Sequence, residues 1–259
     1  KRVGLYKMKK LYVNGCSFTY GHILPREQTW PFLLSKKLGV GLINQSRNAN
    51  SMGGIVFNTI NHLSDLNSDD TLVVIGLTWP DRKYIFFDDY IVNLSAGDFQ
   101  GGEVKFKFSP DKISTPYSLD ENYFDGRELN LESKNLEREN FTPVYNSATE
   151  YYKNLITQSK DITESNYAQY VTELVSLQSF LKQQKFNYYF VDFNQLRPST
   201  VNYPPTWKKL PTLNLLDSSR IINIFEYYDK ETIIDDKTSH PSSHACNLIS
   251  EKVYDSINR

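Results

Sequence analysis

The stretch that decides the fold lies near the start of the chain and reads Lys9-Lys10-Leu11-Tyr12-Val13-Asn14-Gly15-Cys16-Ser17-Phe18-Thr19-Tyr20-Gly21. Its apolar run, Leu11 to Val13, predicts a buried strand, and Asn14-Gly15 is a turn signal that ends the strand. Because open α/β sheets bind ligands beyond the carboxyl ends of their strands, Ser17 is a candidate nucleophile. The alternative is that Gly15-Cys16-Ser17 is a plain turn that caps the next helix.

The sequence that follows alternates between predicted helices and strands. Helices are predicted at residues 30–39, where Thr29 is a suitable cap, and at 53–66. Strands are predicted at 40–44 and at 71–76, and the second has the β-branched run expected of a strand covered on both faces. Three strands with helices between them predict an α/β fold built on a parallel sheet with right-handed crossovers.

After the third strand the regular pattern lapses. Residues 83–145 mix aromatic, acidic and Gly/Ser-rich pieces, and we interpret them as an insertion into a single domain that spans 1–259. The elements predicted in and beyond the insertion are a hairpin at 101–108, helices at 147–157 and 164–184, a strand at 187–192, a long loop at 194–216, a short strand at 221–225 and a closing helix at 241–257.

Composition narrows the expected partners. The chain has 29 Lys and Arg against 30 Asp and Glu, so charge gives no argument for nucleic acid or an anionic membrane surface as a partner. No run of 18 apolar residues predicts a membrane span, and the first ten residues lack the apolar core of a signal peptide. A cytoplasmic location is the default expectation, and a protein carried on a phage or virus particle would look the same. Cys16 and Cys246 are predicted to be free thiols, and the oligomeric state stays open.

The candidate partner of Ser17 lies near the other end of the chain. His240 stands just before Pro241, a residue that favours the first position of a helix. A serine hydroxyl needs such a base before it attacks a carbonyl carbon, and the base needs an acid on its other ring nitrogen. Asp236 and Asp235, four and five residues upstream, are the candidate acids. The alternative is a surface histidine that caps a helix beside solvated aspartates.

Together the two ends of the sequence resemble the SGNH hydrolases, also called GDSL-like hydrolases. The resemblance covers the first three strands and the terminal helix, and it leaves out residues 83 to about 186. It rests on four segments, which are similar to the first, second, third and last blocks of the family: Gly15-Cys16-Ser17-Phe18-Thr19-Tyr20-Gly21, Asn44-Gln45-Ser46-Arg47-Asn48-Ala49-Asn50-Ser51, Gly76-Leu77-Thr78-Trp79, and His240-Pro241 followed by Ile249-Ser250-Glu251.

The chain departs from the family at several of these positions. Cys16 replaces the usual aspartate of the first block, Ala49 replaces a glycine of the second, and Thr78 replaces the asparagine of the third. The family usually places an aspartate three residues before its histidine, where this chain has Lys237, so Asp236 serves only if the loop is bulged. If the loop is not bulged, the serine and the histidine would act as a dyad.

The resemblance implies a flavodoxin-like three-layer α/β/α sandwich and a Ser-His-Asp mechanism. Ser17 would be the nucleophile, His240 the general base and then the general acid, and Asp236 the acid partner. The oxyanion hole would be formed by the backbone N–H groups of Ser17 and Ala49 and by the Thr78 side chain. Two further residues are weaker candidates for binding substrate, namely Arg82, which follows the third strand, and His22, which is close to the nucleophile in sequence. The alternatives are a salt bridge to the insertion for Arg82 and a surface position for His22.

The function expected from these residues is hydrolysis of short acyl esters such as acetyl esters, with a carbohydrate as the favoured alcohol part of the substrate. No metal or cofactor is expected, because the histidines show no metal-ligand spacing and no phosphate-binding glycine motif is present. Two alternatives stay open. One is a catalytically impaired SGNH-like domain that binds glycan or serves in an assembly, and the other is an O-acyltransferase.

Overall fold

A computed structural model describes residues 8–21, 24–48, 50–80, 82–87, 90–94, 113–114, 162–193, 210–224 and 240–259. The strands in this part of the chain are β1 (Lys10–Asn14), β2 (Gly41–Asn44), β3 (Thr71–Gly76), β4 (Lys83–Phe87), β5 (Tyr90–Leu94), β6 (Ile113–Ser114), β7 (Asn187–Asp192) and β8 (Ile221–Asn223). The helices are α1 (Ser17–Tyr20), α2 (Trp30–Leu38), α3 (Met52–Leu63), α4 (Ile162–Gln183) and α5 (Ser243–Asn258).

A five-stranded parallel sheet with the strand order β2-β1-β3-β7-β8 forms the centre of the fold. In β1, Val13 pairs with Asn44 of β2 on one side and with Val74 of β3 on the other. The next contact, between β3 and β7, pairs Gly76 with Val191. Because the strands are parallel, their carboxyl ends meet at one edge of the sheet, and this edge is where the loops after β1, β2 and β3 come together. The predicted parallel α/β sheet is confirmed.

Helices cover both faces of the sheet. Leu11 and Val13 of β1 belong to a cluster that includes Leu34 of α2 and Ile249 of α5. The side chain between them, Tyr12, belongs to a second cluster that contains residues of α3 and α4. Successive side chains of a strand point to opposite faces, so β1 is buried on both sides and carries no polar alternation. The result is the predicted three-layer α/β/α arrangement.

Local signals explain where several helices begin and end. Gly39 ends α2 with a φ of 68°, in the left-handed region that favours glycine. Ser51 caps α3, because its hydroxyl accepts a hydrogen bond from the Gly54 N–H at 3.1 Å. Thr29 occupies the capping position of α2, but its hydroxyl donates to the Arg26 carbonyl at 2.8 Å and does not cap the helix.

The closing helix begins later than the sequence predicts. Its cap is Ser242, whose hydroxyl accepts a hydrogen bond from the Ala245 N–H at 3.2 Å. The prediction that Pro241 occupies the first helical position was therefore wrong. The helix begins after Ser242 because the side chain of this serine accepts a hydrogen bond from an N–H of the first turn.

A second, antiparallel sheet follows β3 and has the order β4-β5-β6. It occupies the first part of the predicted insertion, where the sequence predicts no particular strand before the hairpin at 101–108. The Tyr84 ring lies where a Cβ on Gly53 of α3 would be, and the Lys83 ammonium donates to Gln169 of α4. The sheet is therefore anchored on the α3/α4 layer. The hairpin predicted at 101–108 and the helix predicted at 147–157 lie outside the described residues.

Within the described ranges, no helix combines the length and the apolar character needed to cross a membrane.

Candidate functional site

Ser17 lies just beyond the carboxyl end of β1, where the sequence places it. It is the first residue of α1, follows Cys16 in extended conformation, and is 5% exposed. The N–H groups of a first helical turn have no acceptor within the helix, so the Ser17 N–H is available to a substrate oxygen. Ser17 thus places a hydroxyl and a backbone donor at the same edge of the sheet.

Two glycines make room for the turn that carries Ser17. A Cβ on Gly15 would collide with the Thr19 side chain, and a Cβ on Gly76 at the end of β3 would collide with the same side chain. Thr19 is fully buried between the ends of the two strands. Both glycines are therefore required by close packing and not by an unusual φ angle.

Asn14 fixes the backbone just before the serine. Its side-chain oxygen accepts the Gly15 N–H at 2.8 Å, and its amide donates to the Thr59 hydroxyl at 3.0 Å and to the Ile55 carbonyl at 3.3 Å. The residue is fully buried. These bonds join the end of β1 to α3, so Asn14 determines where the Ser17 turn starts.

The loop after β2 lies directly against this turn. The Arg47 N–H donates to the Gly15 carbonyl at 3.0 Å, and the Asn50 side-chain amide donates to the same carbonyl at 3.1 Å. Asn50 is fully buried. Ala49, the predicted second donor of the oxyanion hole, lies outside the described residues, and Arg47 and Asn50 are the loop residues bonded to the serine turn.

Thr78 is fully buried after β3, and its hydroxyl is engaged on both sides. It donates to the Asn50 carbonyl at 2.7 Å and accepts a hydrogen bond from Arg82 Nη1 at 3.0 Å. A hydroxyl has only one proton to donate. The expected direct donation from Thr78 to an oxyanion is therefore not available in this structure, because the proton is used by Asn50.

His240 is brought to the same end of the molecule as Ser17. Its imidazole ring lies against the ring of Phe18, the neighbour of the serine, with centroids 5.0 Å apart and planes inclined by 40°. Phe18 also contacts the rings of Phe193 at 5.7 Å and Trp79 at 6.5 Å. This aromatic cluster draws together the segments after β1, β3 and β7 with the segment that precedes α5.

The Ser17 hydroxyl makes no hydrogen bond to any described residue, so a bond to His240 is not formed in this structure. In hydrolases such bonds are often long without substrate and shorten when it binds. The candidate acids Asp236 and Asp235, and the candidate binding residue His22, lie outside the described residues. The acid partner of the histidine stays a prediction.

One histidine of the α3 helix is buried beside β1. His62 of α3 is 4% exposed, and its Nδ1 lies 3.4 Å from the Tyr12 hydroxyl. Burial, together with the positive charge of Arg47, lowers the pKa of His62 to about 4. Burial also raises the pKa of Tyr12. His62 is therefore a neutral residue of the interior and not part of the site.

Both cysteines are free and buried, and both belong to the hydrophobic cluster on the α2/α5 face. Burial raises the pKa of the Cys246 thiol to about 12. The prediction of free thiols is confirmed. In the described part of the chain, no group of three His, Cys, Asp or Glu side chains is placed to hold a metal ion.

Solved structures with the same fold include hydrolases. The psychrotrophic esterase EstA from Pseudoalteromonas sp. matches with a TM-score of 0.50 at 14% identity, over 96% of this chain and 97% of its own. TesA matches with a TM-score of 0.51 at 14% identity, over the same shares of the two chains. A member of the lipolytic protein G-D-S-L family from Veillonella parvula matches at 9% identity with a TM-score of 0.49, over 97% of this chain and 99% of that one.

The comparisons establish the fold. At 14% identity the matches to EstA and TesA show the fold alone, and this chain shares their α/β fold. No protein-family model matches the sequence, and no curated protein matches it.

Proposed function

We propose that this protein is a serine esterase that hydrolyses short acyl esters through an acyl-enzyme. The observation that carries the proposal is the placement of the His240 ring on Phe18, one residue from Ser17, at the carboxyl edge of a sheet whose fold is that of known esterases. The proposal assigns the roles of nucleophile and base to two residues from opposite ends of the sequence, at the edge where α/β folds bind ligands.

In the proposed reaction Ser17 Oγ attacks the ester carbonyl carbon while His240 takes the serine proton. The carbonyl π pair moves to oxygen, and the N–H groups of Ser17 and Ala49 stabilise that oxyanion. Collapse breaks the bond to the alcohol, which leaves with the proton from His240. Water then repeats the sequence on the acyl-enzyme, and Asp236 is the proposed partner that holds the imidazole in the required tautomer.

We propose an acetyl ester of a carbohydrate as the substrate. Trp79 is half-buried beside Phe18 at the site, and small-molecule sites combine such apolar walls with a few polar groups. The acetyl group follows from the close packing around Ser17, which is 5% exposed, since a small acyl group needs the least space.

The direct test compares wild type with Ser17→Ala on para-nitrophenyl acetate. Loss of all hydrolysis above the buffer rate is expected for Ser17→Ala, because the attacking oxygen is gone. A matched control is Ser250→Ala, which removes a fully buried serine on α5 that only bonds to the Asn247 carbonyl at 2.7 Å. Equal rates for wild type and Ser17→Ala would contradict the esterase proposal.

A second candidate function is a catalytically impaired domain that binds glycan esters. This alternative is favoured by the hydrogen bond that the Thr78 hydroxyl donates to the Asn50 carbonyl, because Thr78 then cannot be the side-chain donor expected at that position. An O-acyltransferase is a further alternative that uses the same acyl-enzyme. Product analysis with an acetylated oligosaccharide separates the three, because hydrolysis releases acetate, transfer moves the acetyl group to an added sugar, and a binding domain leaves the ester intact.

A further inference from the structure

A chain of hydrogen bonds runs from the serine turn to Arg82. The Gly15 carbonyl accepts from the Asn50 side-chain amide at 3.1 Å, the Asn50 carbonyl accepts from the Thr78 hydroxyl at 2.7 Å, and the Thr78 oxygen accepts from Arg82 Nη1 at 3.0 Å. The chain crosses the loops after β1, β2 and β3 in turn. It joins the half-buried guanidinium to the backbone two residues before Ser17.

The direction of each bond determines which group still has a proton to give. The Thr78 hydroxyl donates its single hydrogen bond to the Asn50 carbonyl and accepts a hydrogen bond from Arg82. It therefore has no donor left for a substrate. A guanidinium carries five N–H donors and no acceptor, and it stays protonated in proteins. One of the donors of Arg82 is used by Thr78, and in the described part of the chain no carboxylate pairs with the guanidinium.

The backbone turn that ends at Arg82 is also joined to the segment that contains Ser17. The Arg82 N–H donates to the Trp79 carbonyl at 3.2 Å, which closes a turn directly after the carboxyl end of β3. The Trp79 ring in turn contacts the Phe18 ring, with centroids 6.5 Å apart. Both ends of this turn are therefore joined to the segment that contains Ser17. Trp79 is joined through its ring contact with Phe18, and Arg82 through the hydrogen bonds of Thr78 and Asn50.

We propose that Arg82 supplies the side-chain donor of the oxyanion hole, and that Thr78 is the positioning residue that holds the guanidinium. The inference rests on the esterase function proposed above. When Ser17 Oγ bonds to the carbonyl carbon and the π pair moves to oxygen, an Arg82 N–H donates to that oxygen without transferring its proton. The guanidinium replaces, with a full positive charge, the amide that the family carries at the position of Thr78.

This role differs from binding an anionic part of the substrate, and the two have different kinetic signatures. A donor that acts on the oxyanion is needed for every ester, charged or neutral, and its loss lowers kcat by ~10²–10³ with little change in KM. A group that only binds an anionic substituent raises KM for anionic esters and leaves neutral esters unaffected.

The test measures kcat and KM for Arg82→Gln on neutral para-nitrophenyl acetate and on a carboxylate-bearing para-nitrophenyl ester. We expect kcat to fall about 100-fold on both esters, with KM within about twofold of wild type. Adding Thr78→Asn to Arg82→Gln is expected to recover about tenfold in kcat, because an amide then stands where the family has one. The matched control is Arg26→Gln, whose guanidinium lies 5.6 Å from the centre of the Phe32 ring on α2.

If Arg82→Gln keeps the wild-type kcat while Ser17→Ala is inactive, the esterase proposal stands and the Arg82 inference is overturned. A rise in KM confined to the anionic ester also overturns it. If wild type is no more active than Ser17→Ala, the esterase proposal fails and the inference falls with it. Thermal unfolding of each variant shows whether a loss of rate reflects loss of folded protein.

Discussion

The imidazole ring of His240 packs on the phenyl ring of Phe18, with centroids 5.0 Å apart. Because Phe18 follows Ser17 in α1, the helix that presents the proposed nucleophile also supports the proposed base. Phe18 is 6% exposed and its ring is held by Phe193 and Trp79. The position of the imidazole therefore depends on apolar packing as well as on hydrogen bonds.

We expect Phe18→Leu to lower kcat for para-nitrophenyl acetate by about tenfold, since a smaller side chain lets the imidazole shift and small misplacements cost rate. Stability is expected to fall by about 1–2 kcal/mol, as for other buried substitutions that lose volume. Steady-state kinetics and urea unfolding check the two effects. Phe32→Leu, at a half-buried ring on α2, is the control, and an equal loss of rate in both variants would contradict the support role of Phe18.

Asn14→Ala is expected to reduce both stability and activity. It leaves the buried Gly15 N–H without its acceptor, and an unpaired buried polar group costs about 1–3 kcal/mol. Urea unfolding measures the stability, and kcat measures the effect on the serine turn. The control is Asn61→Ala on α3, which loses only a bond to the Phe57 carbonyl. Unchanged kcat in folded Asn14→Ala would show that the turn does not need this residue.

The buried His62 makes a pH-dependent contribution to stability. Its pKa is about 4 in the folded protein, below the ordinary value of 6.5 that applies when it is unfolded. Between these values the unfolded state binds a proton that the folded state does not, so stability falls as pH falls. This contribution is fully present above pH 6.5, and about 2 kcal/mol of it is lost between pH 7.5 and pH 5.0.

Urea unfolding of wild type and His62→Gln at the two pH values isolates that contribution. The variant is expected to lose about 2 kcal/mol less than wild type on acidification. His244→Gln, which changes an exposed histidine on α5, should behave as wild type. Parallel pH profiles for wild type and His62→Gln would contradict the burial of a neutral imidazole.

Neither cysteine is expected to react with a thiol reagent while the protein is folded. Cys16 is 1% exposed and Cys246 is fully buried, and with a pKa of about 12 the Cys246 thiol is thiolate at a level of about 10⁻⁴ at pH 8. Ellman's reagent should therefore detect no fast thiol in the native protein and both thiols in denaturant. Rapid labelling of either cysteine in the native state would mean that the α2/α5 layer opens.

Hydrophobic patterning predicted most of the central sheet. The strands and helices from β1 to β3, the strand β7 and the long helix α4 were located to within a few residues, because runs buried on both faces and helical stripes are local signals. The hairpin of β4 and β5 was missed, although Asp88-Asp89 separates two runs rich in aromatic and β-branched residues. Its two strands belong to the long segment 83–145, in which the hydrophobic residues follow no single period.

The hydrogen bonds of the candidate site could not be predicted from the sequence. The motifs indicate Ser17 and His240 as candidates, and the structure places the His240 ring on Phe18, next to Ser17. The acceptor of the Thr78 proton depends on where the loop after β2 places the Asn50 carbonyl, which no local pattern encodes. In the sequence, Asn14 is half of a turn signal. A polar residue at the end of an otherwise apolar strand was the available sign that its side chain is buried and bonded.

In the proposed reaction Ser17 is a nucleophile activated by His240. Intact-mass analysis after incubation with diethyl para-nitrophenyl phosphate, which phosphorylates activated serines and releases nitrophenol, tests that activation. We expect one diethylphosphoryl group on wild type, mapped to Ser17, none on Ser17→Ala, and labelling at least about 100-fold slower on His240→Gln. Failure of wild type to be labelled, or labelling of Ser17→Ala at the same rate as wild type, would contradict the proposed reaction.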